Sequence, residues 1–158
     1  MRALLPIYLL VALLISGCGP NYIGDTQIED TPDNRAVMAM VDDYRRAIET
    51  RDIGTLQQLV SRRYYENAST TDVDSDDYGR DEVLVSVLPM LAESVQKVFY
   101  QVRVTSIAIQ KEAALVDFEY VLKFRFLDGT KSQWALKSDV NQLQLVREEG
   151  SWRILSGM

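Results

Sequence analysis

Val116-Asp117-Phe118-Glu119-Tyr120-Val121-Leu122-Lys123-Phe124-Arg125-Phe126 alternates along its whole length. Val116, Phe118, Tyr120, Leu122, Phe124 and Phe126 share one phase, while Asp117, Glu119, Lys123 and Arg125 share the other. Successive side chains of a strand point to opposite faces, so this segment reads as a strand with one buried and one charged face. Asp128-Gly129 follows at once and signals a hairpin. The next strand is expected from about Lys131 to Arg147, with Trp134 and Leu136 in one phase and Leu143 and Leu145 in the opposite one. Glu149-Gly150 marks another turn, and Trp152 and Ile154 lead a last strand. Upstream, Val98, Tyr100, Val102 and Val104 alternate, and then the phase slips to Ile107 and Ile109, as a bulge near Thr105 or Ser106 would produce.

Ahead of the strands the period is 3.6. Thr31-Pro32-Asp33 is a helix start, and Val37, Met40, Val41, Tyr44 and Ile48 form an apolar stripe from about 33 to 50. Asp52 caps a shorter helix that buries Ile53, Leu56, Leu59 and Val60; Ser61 to Glu66 then reads as extended. A third helix begins near Asp81, with Leu84, Val87, Leu88, Leu91 and Val95 on one face. Pro89 is expected to kink it, because its ring clashes with the carbonyl four residues back. These elements define an α+β fold, in which three N-terminal helices pack on a curved, mostly antiparallel four- to five-stranded sheet, cone-shaped because the bulged sheet curls.

This element order, with Tyr44-x-x-Ala47-Ile48-x-x-x-Asp52-x-x-x-Leu56-x-x-Leu59 early and Trp152-Arg153-Ile154-Leu155-Ser156-Gly157 at the end, resembles the nuclear transport factor 2-like superfamily. That superfamily includes ketosteroid isomerases, SnoaL-type polyketide cyclases, scytalone dehydratase and many members that only bind. The resemblance covers roughly residues 33 to 158 and implies the fold far more than an activity. It also implies a homodimer formed through the outer sheet face, where Asp117, Glu119, Lys123 and Arg125 carry both signs of charge.

The N-terminus speaks to location. Arg2 precedes a thirteen-residue apolar run from Ala3 to Ile15, about 20 Å long as a helix and short of the ~30 Å hydrocarbon core. A secretion signal is therefore expected rather than a membrane span. Ile15-Ser16-Gly17-Cys18 resembles the lipobox of bacterial lipoproteins, which implies acylation of Cys18 and membrane attachment through it. Residues 1–17 are thus read as signal peptide, 18–31 as a flexible tether and 32–158 as the domain. Gly19 after the cysteine implies, by the same resemblance, the outer membrane, with the domain facing the periplasm of the cell envelope.

Seventeen basic residues stand against 23 acidic ones, and loss of Arg2 makes the balance one unit more negative. This argues against nucleic acid, whose affinity rests on phosphate neutralisation, and leaves membrane attachment to the acyl group alone. Cys18 is the only cysteine, so no intramolecular disulfide forms.

Enzymes of this cone place ionisable groups inside an apolar pocket. The chain has no histidine, which removes the commonest general base and the usual zinc ligand. The interior polar candidates are Tyr44, Tyr100, Tyr120, Trp134 and Ser138, read as lining of a core or ligand pocket, with no catalytic residue assigned. Asp139 would enter the cone only if its strand were bulged. Asp72, Asp74 and Asp76 match the first three ligand positions of a calcium loop, but the sixth position is Asp77 instead of glycine and the twelfth is Val83. The alternative is a solvated loop leading into the acidic first turn of a helix. No other cofactor is called for. The leading expectation is a tethered, non-catalytic domain that docks an envelope protein or holds a small apolar ligand. An isomerase- or dehydratase-like enzyme and a calcium-dependent adhesion or structural element are the alternatives.

Overall fold

The computed structural model describes residues 19–67 and 77–158. Cys18, the signal segment and Asp72, Asp74 and Asp76 lie outside them. Helix α1 (Pro32–Thr50) starts where Thr31 accepts the Asn34 N–H at 3.1 Å. It ends at Arg51, whose left-handed backbone (φ 56°) turns its N–H back to the carbonyls of Ala47 and Ile48. The Arg51 guanidinium then donates to the Val95 carbonyl at 2.5 Å, tying the end of α1 to the start of the sheet.

Helix α2 (Ile53–Leu59) is capped by Asp52, which accepts the Thr55 N–H at 3.0 Å and its hydroxyl at 2.8 Å. The Thr55 N–H bond, followed by the hydroxyl bond, holds the Asp52 carboxyl below its ordinary pKa. A depressed carboxyl contributes stability above its unfolded pKa and loses it as pH falls. Asp52→Ala is therefore expected to lower the urea midpoint at pH 7, and the gap from wild type should close as the pH is taken below about 4.

A two-residue ribbon, β1 (Tyr65–Glu66) with β2 (Tyr78–Gly79), closes the acidic loop at its base. Tyr78 stacks on Tyr64 at 6.3 Å, so the segment after the acidic run packs back on the domain. Helix α3 runs from Arg80–Glu82 through a π-helical turn, Val83–Val87, into Leu88–Ser94. The kink expected at Pro89 is taken up by this widened turn. The Leu88 N–H reaches the Val83 carbonyl five residues back, which opens room for the proline ring one residue on.

Strands β3 (Val95–Gln110), β4 (Ala113–Asp128), β5 (Lys131–Glu148) and β6 (Ser151–Ser156) form one antiparallel sheet in chain order. The three helices pack against it, the α+β cone that the sequence pattern predicts. A register shift between Val104 and Ser106 places the bulge at Thr105, whose hydroxyl donates to the Asp117 carbonyl at 3.1 Å. The core joins Val37, Val41 and Tyr44 of α1 and Leu56 of α2 to Val98, Tyr100, Val116, Phe118, Leu143 and Ile154 of the sheet. Buried Ser61 donates from its hydroxyl to Glu148 at 2.8 Å and from its N–H to the Ile154 carbonyl at 2.9 Å, locking the segment after α2 to β5 and β6.

The structure corrects two expectations. Residues 18–31 are not a free tether throughout: Tyr22 bridges Glu29, the Ile23 N–H bonds to the Ile28 carbonyl at 2.9 Å, and Ile28 is buried in the core. Two apolar side chains fold this polar stretch back, Ile28 in the core and Ile23 packed against it. Trp134 and Ser138 are not interior. The β4–β5 register is unbroken from Asp128/Lys131 to Ala113/Val146, so Trp134 faces Arg125 and Ser138 faces Val121 on the outer face. Strand β5 simply changes its apolar side along its length, from Trp134 and Leu136 outside to Leu143 and Leu145 inside, without a bulge.

The two edges of the sheet differ. Helix α1 covers β3, and Glu49 accepts the Tyr100 N–H at 3.0 Å. Strand β6 pairs only with Gln144–Glu148, so β5 from Lys131 to about Val140 is an open edge.

Candidate functional site: a tyrosine row inside and a groove outside

Tyr44 on α1, Tyr100 on β3 and Tyr120 on β4 form a row across the concave face. Tyr44 meets Tyr100 edge to face at 6.1 Å, and Tyr100 meets Tyr120 at 5.9 Å. Tyr44 and Tyr100 are both buried, 5% and 6% exposed. Burial, above all, pushes the Tyr44 phenol far above its ordinary pKa and takes Tyr100 up to about 12. Tyr64 is raised as well, by burial first and then by Tyr78 and Glu66.

A phenol whose folded pKa is raised contributes stability that is complete below pH ~10 and lost as pH climbs through the folded value. In an alkaline titration followed by phenolate absorbance, the exposed phenols of the eight tyrosines should ionise first. Tyr44, Tyr64 and Tyr100 should follow only with loss of the native circular dichroism. A single phase near pH 10 with structure intact would contradict the buried row.

At the open end of the row the Lys137 ammonium lies 5.8 Å from the centre of the Tyr120 ring. Its attraction to the Tyr120 hydroxyl, first as a hydrogen-bond donor and then by charge, raises the pKa of Lys137. Asp139 stands opposite Tyr120 in register and so belongs to the inner phase, yet it is exposed and its Oδ1 accepts the Val140 N–H at 2.9 Å. Neutral phenols can orient or hydrogen-bond a carbonyl oxygen, but proton abstraction from carbon needs a base within reach. Among the described residues the carboxylates nearest the buried tyrosines are Glu66, 3.4 Å from the Tyr64 hydroxyl, and Glu49, which accepts the Tyr100 N–H. Lys137 escapes an alternation reading, because its own strand is apolar on the other side there. The signal that finds it is the Asp128-Gly129 turn: counting outward from Asp128 and Lys131 places Lys137 opposite Leu122 and Asp139 opposite Tyr120.

The outer face is open. A groove of about 470 Å³ crosses it, lined by Gln101, Arg103, Glu119, Val121, Ser138 and Val140. Beside it Trp134 stacks on Phe99 at 6.0 Å, with Lys97 4.8 Å from the Phe99 ring and Lys123 and Arg125 at 5.0 and 5.7 Å from the Trp134 ring. Arg103 and Glu119 pair at 2.6 Å. Of the sequence candidates, then, Tyr44 and Tyr100 are core, Tyr120 is half-buried between the two faces, and Trp134 and Ser138 belong to the outer surface. Among the described residues no three acidic side chains cluster to hold a metal ion, and no helix is long and apolar enough to cross a membrane.

Three helices on a curled antiparallel sheet, with tyrosines across the concave side, define a nuclear transport factor 2-like cone. The chain belongs to the SnoaL-like domain family, whose model matches residues 37–157. Similar solved structures include a protein described as a candidate scytalone dehydratase from Novosphingobium aromaticivorans (TM-score 0.64, 14% identity, 79% of this chain and 80% of that one). A nuclear transport factor 2-like superfamily protein from Salmonella enterica serovar Typhimurium aligns with TM-score 0.61 and 14% identity over 78% and 89% of the two chains. A candidate dehydratase from Streptomyces avermitilis aligns with TM-score 0.60 and 18% identity over 80% and 95%. At these identities the likeness carries the fold. A sequence search of curated proteins finds no match.

Proposed function

We propose that the chain is an envelope protein, lipid-anchored through Cys18, whose SnoaL-like domain docks a partner protein through its outer sheet face. The observation that carries the reading is the exposed aromatic and apolar outer face, set against a core whose Val37, Val116 and Leu143 are 0% exposed and Phe118 1% exposed. The outer face leaves Phe99, Val121, Trp134, Leu136 and Val140 more than 40% exposed, interleaved with Lys97, Lys123 and Arg125. Apolar and aromatic side chains with a polar rim are the composition of a docking surface.

Position supports the same reading. Arg147, at the far end of β5, pairs with Asp33 at the start of α1 at 2.7 Å, so the chain leaves toward Cys18 from that end. Trp134 lies thirteen residues away, about 40 Å along the strand, and points the aromatic patch away from the anchor.

Two measurements test it. Metabolic palmitate labelling should mark the wild-type chain and leave Cys18→Ser unmarked and released from membranes. A photo-crosslinking residue placed at Gln101 or Val121 in the groove should give discrete adducts with a second envelope protein, and one at exposed Gln57 on α2 should not. Equal labelling of both sites would contradict the docking face.

One observation favours a second reading, a dehydratase-like enzyme: at the open end of the row Lys137 lies 5.8 Å from the Tyr120 ring centre and Asp139 stands opposite Tyr120 in register. That reading requires turnover of a hydroxy-carbonyl compound that is lost in Tyr120→Phe.

A further inference from the structure

We infer that the open edge of β5 pairs with the same edge of a second copy, centred on Ser138, to join two sheets into one. The segment Leu136-Lys137-Ser138-Asp139-Val140 is complementary to itself when reversed. Antiparallel pairing about a two-fold axis at Ser138 sets Lys137 opposite the other copy's Asp139, and Asp139 opposite its Lys137, on the inner phase. On the outer phase it sets each Leu136 opposite a Val140. These two side chains are 71% and 72% exposed, the most exposed large apolar groups of the sheet.

Only one register does this. An axis at Lys137 would stack ammonium on ammonium, and one at Asp139 carboxylate on carboxylate, which is unfavourable for directly opposed residues. The backbone is ready for it. The N–H of Val140 turns away from β4 and donates only to the carboxylate of its neighbour Asp139, at 2.9 Å; by strand alternation the N–H groups of Leu136 and Ser138 face the same way. An unpaired row of this kind is a template for another strand. Lys137 has three donors, so the cross-pair leaves others free to face Tyr120.

The pairing also ends where the fold requires. Gly157 packs on the Gln142 carbonyl, and Asn141 donates to the Gly157 carbonyl at 3.0 Å, so the chain's own tail occupies the edge just past Val140. Face-to-face pairing through the outer sheet would instead bring Lys97, Lys123 and Arg125 of one copy against those of another where a two-fold axis passes through them. Edge pairing takes Leu136 and Val140 from that face and leaves Phe99, Val121 and Trp134 for a partner.

The test uses the full-length chain in membranes, oxidised and run on a non-reducing gel. Across the proposed axis the Cα atoms of residue 138 come within about 5.5 Å, inside disulfide reach, whereas those of residue 132 stand about 40 Å apart. Ser138→Cys should give a covalent dimer; Ser132→Cys and the wild type, which controls for Cys18, should not. Adding Lys137→Asp or Asp139→Lys alone to Ser138→Cys should lower the dimer yield several-fold. The double exchange Lys137→Asp/Asp139→Lys should restore it, and that rescue also excludes misfolding as the cause of the loss. No dimer from Ser138→Cys, an equal yield from Ser132→Cys, or indifference to the charge exchange would each overturn the pairing. Heterologous adducts from Gln101, which lies on β3 two strands away from the paired edge, report on the docking partner separately from the dimer.

Discussion

Phe118→Ala is expected to lower the free energy of unfolding by about 3–5 kcal/mol, the cost of truncating a large ring where the surroundings cannot close over the void. Phe118 is 1% exposed, lies in register between Val104 and Asn141, and leans on Tyr120 at a ring separation of 6.2 Å. Phe118 itself sits on β4, the strand held on both sides by β3 and β5, so collapse into the gap is resisted. Against a total of about 5–15 kcal/mol for a domain, the loss is a large fraction. Urea denaturation should show the midpoint falling with the slope unchanged. A loss below about 1 kcal/mol would mean that the interior can rearrange around an empty volume, which a filled cone does not allow.

Gly157→Ala should cost about 2–4 kcal/mol, although the residue is next to last. Its φ is +90°, and an added Cβ would come 2.0 Å from the Gln142 carbonyl oxygen and 3.3 Å from the Leu143 Cα. Both atoms are backbone of β5, so the tail has to leave rather than adjust. With it go the bond from the Gly157 N–H to Glu66 at 2.6 Å and the bond from Asn141. Each hydrogen bond is worth about 0.5–1.5 kcal/mol, and the packing of Met158 against the core is lost with them. Because the tail is expelled, removal of residues 157 and 158 should match the alanine variant in denaturation to within experimental error. An alanine variant as stable as wild type would show that the tail is not held there.

The fold was legible because its signals are local and repeated. The alternation from Val116 to Phe126, the phase slip that marks the Thr105 bulge, and the Thr31 and Asp52 caps each state their own geometry within a few residues. The row of Tyr44 and Tyr100 was legible for the same reason, since both lie in clean apolar phases. Trp134 and Ser138 were not, because hydrophobicity in β5 follows which elements cover the sheet, and cover is a tertiary fact: Leu143 and Leu145 lie in the covered core, while Trp134 and Leu136 stand out on the open face. The fold of residues 21–30 hinges on Ile23 and Ile28 and carries no period at all. The complementarity of Leu136 to Val140 can be written from sequence only once β5 is known to be an edge.

The docking reading requires a cone with no room for a substrate, and xenon probes this, since the gas enters dry apolar cavities of even modest size. Methyl resonances of the protein, recorded as xenon pressure is raised, should show only small linear drifts at Val37, Val41, Val116 and Leu143. Saturable shifts at these methyls, centred on the tyrosine row, would reveal a hollow interior, contradict the docking account and return the molecule to the class of pocket-bearing enzymes.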